Sequence, residues 1–397
     1  MRKFFICCTK FIFVFSLFVF AESLFSYAAY TVPVGKSIFL RDKKLDLNNV
    51  TWNADNHNVV SVSEEGIALA LKTGKSKVFV KKDDNIIASY DLNIIEPENV
   101  KSVFISQNNL HKGEQVEVFA ITNNFVKRVR FIIEVNGSKK IFSSTSSKKD
   151  GDNLIHSASF KVPDCTSFCI DTEAYNGKSW VKSSCSKRNY IVSKDKDRNS
   201  KSVNLKRPST DCINFIMNYE GFKNSISRDK IAAGDVFDIG YGNVINFGET
   251  FYNNITKTEA YSVFLDKINS SGYTSAVNSF LTSNNIMFNQ HQFDALVSFT
   301  YNLGTGWMKS PKIIDLRNII LNCKNKDLDC LDKDAFIKEI LSWHHCAKQC
   351  YKGLLYRRID ELEIFFYNDY IRDGSLNKHK FKIPDCILKK YGQFINC

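Results

Sequence analysis

Residues 218–243 read "NYEGFKNSISRDKIAAGDVFDIGYGN" and set Glu220, Asp229, Asp235 and Asp238 around two tight-turn glycines. Paired carboxylates across a cleft support the hydrolysis of a glycosidic bond. One stays protonated and gives its proton to the leaving oxygen, while another activates water or stabilises positive charge on the sugar. The same composition also suits a solvated loop or a cation site. A calcium loop of the helix-loop-helix kind is excluded, because oxygen ligands do not recur at alternate positions of "DKIAAGD".

Positioning these groups calls for a helix and a hairpin. "CINFIMNYEGF" places Ile213, Ile216, Met217 and Tyr219 at helical spacing, so Glu220 closes a helix that Gly221 stops. "VFDIGYG" alternates, and Gly240 and Gly242 permit tight backbone geometry. The pattern predicts a small hairpin that folds back on the helix and brings Asp229 and Asp238 toward Glu220. An acid must hold its proton until it is used, so apolar surroundings are expected for Glu220, with Phe215 and Phe222 as candidates.

Downstream, "NQHQFDALVSFTYNLG" (289–304) opens on Asn289 as N-cap with Gln292 three residues later. It then sets Phe293, Leu296, Val297, Thr300 and Tyr301 on one stripe and stops at Gly304. "DKDAFIKEILSW" and "LLYRRIDELEIFFYNDY" continue the helical pattern. His291 and His345 read as packing or surface histidines.

Residues 30–195 have a different period. Short bursts such as "KSIFL", "SKVFVKK", "EQVEVFAIT" and "RVRFIIEVNG" alternate apolar and polar residues between turn residues, which predicts two β-sandwiches. The second is expected to be pinned by a pairing among Cys165, Cys169 and Cys185. Neither segment offers a catalytic constellation, so both read as spacers or binding modules. "SKDKDRNSKS" (193–202) reads as a solvated linker.

The chain opens with Arg2 and Lys3, the apolar run "FIFVFSLFVF" and the small residues "SYAA". That is the pattern of a secretory leader cleaved near Ala28 or Ala29. Of 12 cysteines, Cys7 and Cys8 would leave with the leader, and the remaining even set reads as a disulfide framework in an exported chain. The competing reading of "WHHCAKQC" (343–350) is a metal site from His344, His345, Cys346 and Cys350. The formal charge of +12 falls to +10 once Arg2, Lys3, Lys10 and Glu22 are removed, which suits a polyanionic partner. The lysines are scattered and no stripe interleaves arginines with aromatics, which argues against nucleic acid. No later stretch could span a bilayer, and nothing calls for a metal or cofactor.

Two resemblances extend this reading. "VTWNADNHNVVSVSEEGIALALKTGKSKVFVK" resembles the core of bacterial immunoglobulin-like modules, with Trp52, Val62, Gly66 and Gly74 in matching places. "FIMNYEGFKNSISRD", "VFDIGYGN", "NQHQFDALVSFTYNLGTG" and the ending "GLLYRRIDELEIF" resemble, in order, the landmarks of phage-type lysozymes, glycoside hydrolase family 24. That resemblance implies an inverting muramidase cutting between N-acetylmuramic acid and N-acetylglucosamine in peptidoglycan. Glu220 falls at the general acid and Asp229 at the acid that positions water. Tyr241, Tyr301, Asn302 and Ser310 fall along the substrate cleft. Arg358 belongs to an arginine pair expected to buttress helices, and Cys346 and Cys350 are expected to staple a loop.

Two positions depart from the family pattern. Asp238 stands where the family has threonine, and Asn243 where it has histidine. Asp238 could serve as base, or attack the anomeric carbon if it lay about 5 Å from the acid.

The expected architecture is a leader (1–29), two all-β immunoglobulin-like sandwiches (30–97 and 98–195), a linker (196–208) and a mainly helical α+β lysozyme-like domain (209–397). The expected function is that of an exported muramidase, secreted or periplasmic, whose β modules hold a cell-surface ligand. The alternative is a catalytically inactive lysozyme fold that binds the wall.

Overall fold

Alternation becomes sheet throughout the first part of the computed structural model. It describes residues 25–26, 29–183, 185, 187–193, 205–228, 236–270, 272–309, 315–323, 330–346 and 349–374. The leader's apolar core, Asp229, Ser310, Cys386 and Cys397 lie outside the described residues, as do the side chains of His345, Cys346 and Cys350.

In the first sandwich, strands Val50–Ala54, Gly74–Lys82 and Asn85–Ile95 run antiparallel in one sheet, and Tyr30–Pro33 joins Asn85–Ile95 in parallel. Lys36–Phe39, Ile67–Ala70 and Val60–Val62 form the facing sheet. Ser76, Val78 and Val80 point inward at every second position, as a half-buried strand requires. Trp52 lies across Gly66, where an added Cβ would meet the indole at 2.6 Å and φ is +72°. Only glycine fits both constraints, which explains the tryptophan–glycine pairing in the sequence.

The second sandwich packs a six-stranded sheet on a four-stranded one. Phe131, Phe142, Phe160, Phe168 and Tyr190 stack in succession through its interior. This aromatic ladder fixes the module without a cross-link. Cys165, Cys169 and Cys185 carry free thiols, so the pairing expected among them is not formed. Cys212 and Cys330 are free as well.

The C-terminal part is built on eight described helices, α1 (Thr210–Glu220), α2 (Lys257–Ser270), α3 (Tyr273–Ser283), α4 (Gln290–Leu303), α5 (Gly306–Lys309), α6 (Asp315–Leu321), α7 (Lys333–Ser342) and α8 (Lys352–Tyr367). A three-stranded sheet of Lys223–Arg228, Phe237–Gly240 and Asn243–Val244 lies between α1 and α2 in sequence. The capping box forms as expected: Asn289 accepts from the Gln292 amide, and the Gln292 side chain accepts from the Asn289 amide. Gly304 ends α4. Every residue from Gln290 to Tyr301 is buried, so α4 is the central post rather than an amphipathic surface helix. Its polar groups are satisfied internally. Asp294 accepts from the Ser209 hydroxyl at 2.6 Å and from Gln290 Nε2 at 2.8 Å, and His291 Nδ1 pairs with the Ile364 carbonyl at 2.9 Å. His344 is likewise buried, its Nδ1 against the Leu341 carbonyl.

Both β modules pack against the C-terminal part. Strand Thr250–Tyr252 of the C-terminal part pairs antiparallel with Lys36–Phe39 and completes the second sheet of the first sandwich. Phe39 packs on Phe237 at 5.1 Å between ring centres. The second sandwich lays Phe104 against Tyr261 of α2 at 5.7 Å. Phe39, Phe104 and Ile121 thereby join the hydrophobic core of the helical part. Among the described residues no helix is long and apolar enough to cross a membrane.

Candidate active site

Glu220 is the last residue of α1, and that helix is aimed by its caps. Ser209 accepts from the Cys212 amide at the start, and Gly221 leaves the helix with φ of 70°. The Glu220 carboxylate is gripped from α8. Arg357 Nη1 donates to Glu220 Oε1 at 2.6 Å, and Arg357 Nε donates to Glu361 Oε1 at 3.2 Å. Arg358 stays behind, donating through Nη2 to Asn302 Oδ1 and to Glu361 Oε1, both at 3.0 Å. The Ser298 hydroxyl completes this cluster on Glu361 at 2.7 Å.

The hairpin closes over the other side of the acid. A Cβ on Gly242 would lie 3.0 Å from Glu220 Oε2, and its φ is +74°. The carboxylate therefore rests against bare backbone, and any larger residue would push it away. Asp238 sits on the adjoining strand opposite Ser227 and Val244. Lys223 Nζ lies 2.6 and 2.7 Å from its two oxygens, and the Ser227 hydroxyl donates to Oδ1 at 3.0 Å. Asp238 is thus anchored by one cation, as Glu220 is by another.

Tyrosines line the space beside the two acids. The Tyr301 hydroxyl donates to the Tyr241 carbonyl at 2.9 Å, and the Tyr301 ring is 5.0 Å from that of Tyr273. Burial, then the negative charge of Glu220 and more weakly that of Asp238, makes the Tyr301 proton harder to remove than usual. Burial and Glu220 act in the same direction on Tyr273. Tyr301 therefore stands within the field of both carboxylates, as a neutral donor.

The structure thus gathers Glu220, Asp238, Tyr241 and Tyr301. Asn302 turns to Arg358, and Asn243 is buried in the strand opposite Ile239. The apolar shell expected around Glu220 is corrected: Phe215 packs on Tyr219, Phe222 packs on Tyr241, and the group on the carboxylate is the Arg357 guanidinium. Sequence reasoning also passed over Lys223 and Tyr273. A lysine next to a cross-strand aspartate was a usable signal for the first. Nothing local marked Tyr273.

A helix ending in a carboxylate, capped by a glycine-turned hairpin that carries a second acid, defines a lysozyme-like domain behind an all-β region. Residues 217–361 match the model of the phage lysozyme family, to which this part of the chain is therefore similar. It is similar to the endolysin of Bacillus phage B103, 29% identical over 155 residues that make up 38% of this chain and 51% of that protein. It is also similar to the endolysin of Bacillus phage PZA, 27% identical over 155 residues, covering 38% and 52%. The chain spans about half the length of the curated relatives it matches. Among solved structures, the active form of the P1 phage endolysin Lyz aligns at 14% identity, over 41% of this chain and 85% of that one, with a TM-score of 0.31.

Proposed function

We propose that the chain is an exported muramidase that hydrolyses the β-1,4 bond between N-acetylmuramic acid and N-acetylglucosamine in peptidoglycan. The observation that carries this reading is the Glu220 carboxylate held between Arg357 and the Gly242 backbone, with Asp238 on the same hairpin. Glu220 gives its proton to the glycosidic oxygen as the bond breaks. Asp238 orients the attacking water and supports the positive charge that develops on the sugar, with Asp229 assigned to the same task from the sequence. Lys223 and Ser227 fix the Asp238 carboxylate, which suits a base acting through water better than a free nucleophile, so inversion is the expected outcome. Tyr241, Tyr301, Asn302 and Ser310 belong to the substrate side of the cleft. The division into modules 30–97 and 98–195 and a catalytic part 209–397 goes with this reading.

The tie between Lys223 and both oxygens of Asp238 also favours a second reading, a domain that binds glycan without cutting it. Digestion of purified peptidoglycan by the whole mature chain separates the two. Muramidase action releases fragments whose new reducing end is N-acetylmuramic acid, identified by mass spectrometry after borohydride reduction. New ends on N-acetylglucosamine would refute the assigned bond, and sedimentation with the wall without release would establish the binding reading.

A further inference from the structure

Where the second sandwich meets α2, a cavity of about 670 Å³ opens between Lys36, Lys101, Lys187, Arg188 and Arg207 on one hand and Glu98 and Asp266 on the other. It lies apart from Glu220 and Asp238, neither of which lines it. Most of its cations are matched. Lys36 pairs with Glu98, Lys101 with Glu259, Lys187 with Glu134, and Arg188 with Asp266. Among the described residues four carboxylates thus answer five cations, and Arg207 is left over. Its Nη2 donates to the Asn189 carbonyl at 2.9 Å, while its buried Nε has no acceptor among the described residues. Burial works against its charge, and so, less strongly, does Arg188, while Tyr190 and then Asp266, the latter already engaged with Arg188, favour it.

A half-buried guanidinium whose buried Nε–H has no acceptor, beside a second guanidinium, is costly unless a negative group completes it. We propose that this cavity is an anion-binding site, built jointly by the second sandwich and the lysozyme domain, for one singly charged oxyanion on a larger molecule. The charge count sets one negative charge. The volume exceeds that of a bare ion and leaves room for the body that carries it. Guanidinium donors fit carboxylate and phosphate oxygens alike. Both occur on wall polymers, as the carboxylate of a muramic acid unit and as a phosphodiester. Gln107 and Asn189 line the same wall beside that body.

The test is calorimetric titration of the whole mature chain with two probes, N-acetylmuramic acid for the carboxylate and bis(glycero)phosphate for the phosphodiester. Saturable binding of either at one site per chain is expected, and whichever binds identifies the source. Arg207→Gln should weaken it by about tenfold or more. Gln107→Glu, which adds a negative charge at the cavity wall, should weaken it in the same direction while the catalytic site stays intact. Because Arg207 lacks a full set of partners, Arg207→Gln is expected to keep the thermal midpoint of the parent in the absence of probe. Absence of saturable binding by both probes, or binding unchanged in both variants, overturns the proposal. Neither result bears on wall hydrolysis, which is read separately through Glu220.

Discussion

The two β modules meet the lysozyme domain by different physics. The first is joined through the backbone: Thr250–Tyr252 enters its sheet beside Lys36–Phe39, and Phe39 continues the contact onto the Asp238 hairpin at Phe237. The second is joined through side chains. Lys101 reaches Glu259 at 3.0 Å, Arg188 reaches Asp266, and Asn269 Nδ2 donates to Asn108 Oδ1 at 2.7 Å, around an apolar contact at Phe104. Ladder hydrogen bonds and buried rings resist salt, whereas partly exposed ion pairs weaken with it. The first module is therefore continuous with the fold of the C-terminal part, and the second is a docked neighbour.

Removing residues 30–97 should have the largest effect. It strips a strand edge at Thr250–Tyr252 and uncovers Phe237 and Phe251, so the remaining chain is expected to aggregate or lose its cooperative unfolding transition, read by size-exclusion chromatography and calorimetry. Folding of the truncated chain at the parent's midpoint would erase the distinction between the two junctions. Phe39→Ala, a point version of the same injury, should cost about 3–5 kcal/mol in chemical denaturation.

Lys101→Met attacks the other junction. It leaves Glu259 without its cation and Tyr252 without the ammonium 4.2 Å from its ring, and is expected to cost about 2–3 kcal/mol. Stability of the parent should fall, relative to this variant, as salt rises from about 0.05 to 0.5 M, because only the parent has the pair to screen. The same salt series on Phe39→Ala should run parallel to the parent.

The smallest effect concerns pH. Burial raises Asp294 and Asp360 to about 6, above their unfolded values. Between the unfolded value and about 6 the folded chain binds more protons than the unfolded one, so these groups make stability fall as pH rises through that window. The thermal midpoint should be higher by a few degrees at about pH 5 than at about pH 7 in this respect. Asp360→Asn should flatten part of that slope.

Local elements were legible because local spacing encodes them. Asn289 and Gln292 formed their capping box, Gly221 stopped α1 directly after Glu220, and Trp52 found Gly66. Contacts distant in sequence were not legible. Thr250–Tyr252 is too short to show alternation, and its partner strand lies more than two hundred residues upstream. The pair Arg357 and Arg358 looks symmetric in sequence, and only the rotation of α8 decides that Arg357 reaches Glu220 while Arg358 stays with Asn302. The shell of Glu220 was misjudged for that reason. The cysteines were read through their number and the expected compartment, whereas the second sandwich is held by its aromatic ladder with the thiols free.

Everything proposed for the cleft turns on one carboxyl group. The initial rate of reducing-end release from peptidoglycan should be measured for the whole mature chain and for Glu220→Gln, with circular dichroism confirming that both are folded. Gln keeps the shape and an acceptor for Arg357 but has no proton to give, so a fall of about a thousandfold is expected. A Glu220→Gln rate within about tenfold of the parent would mean that the proton comes from elsewhere.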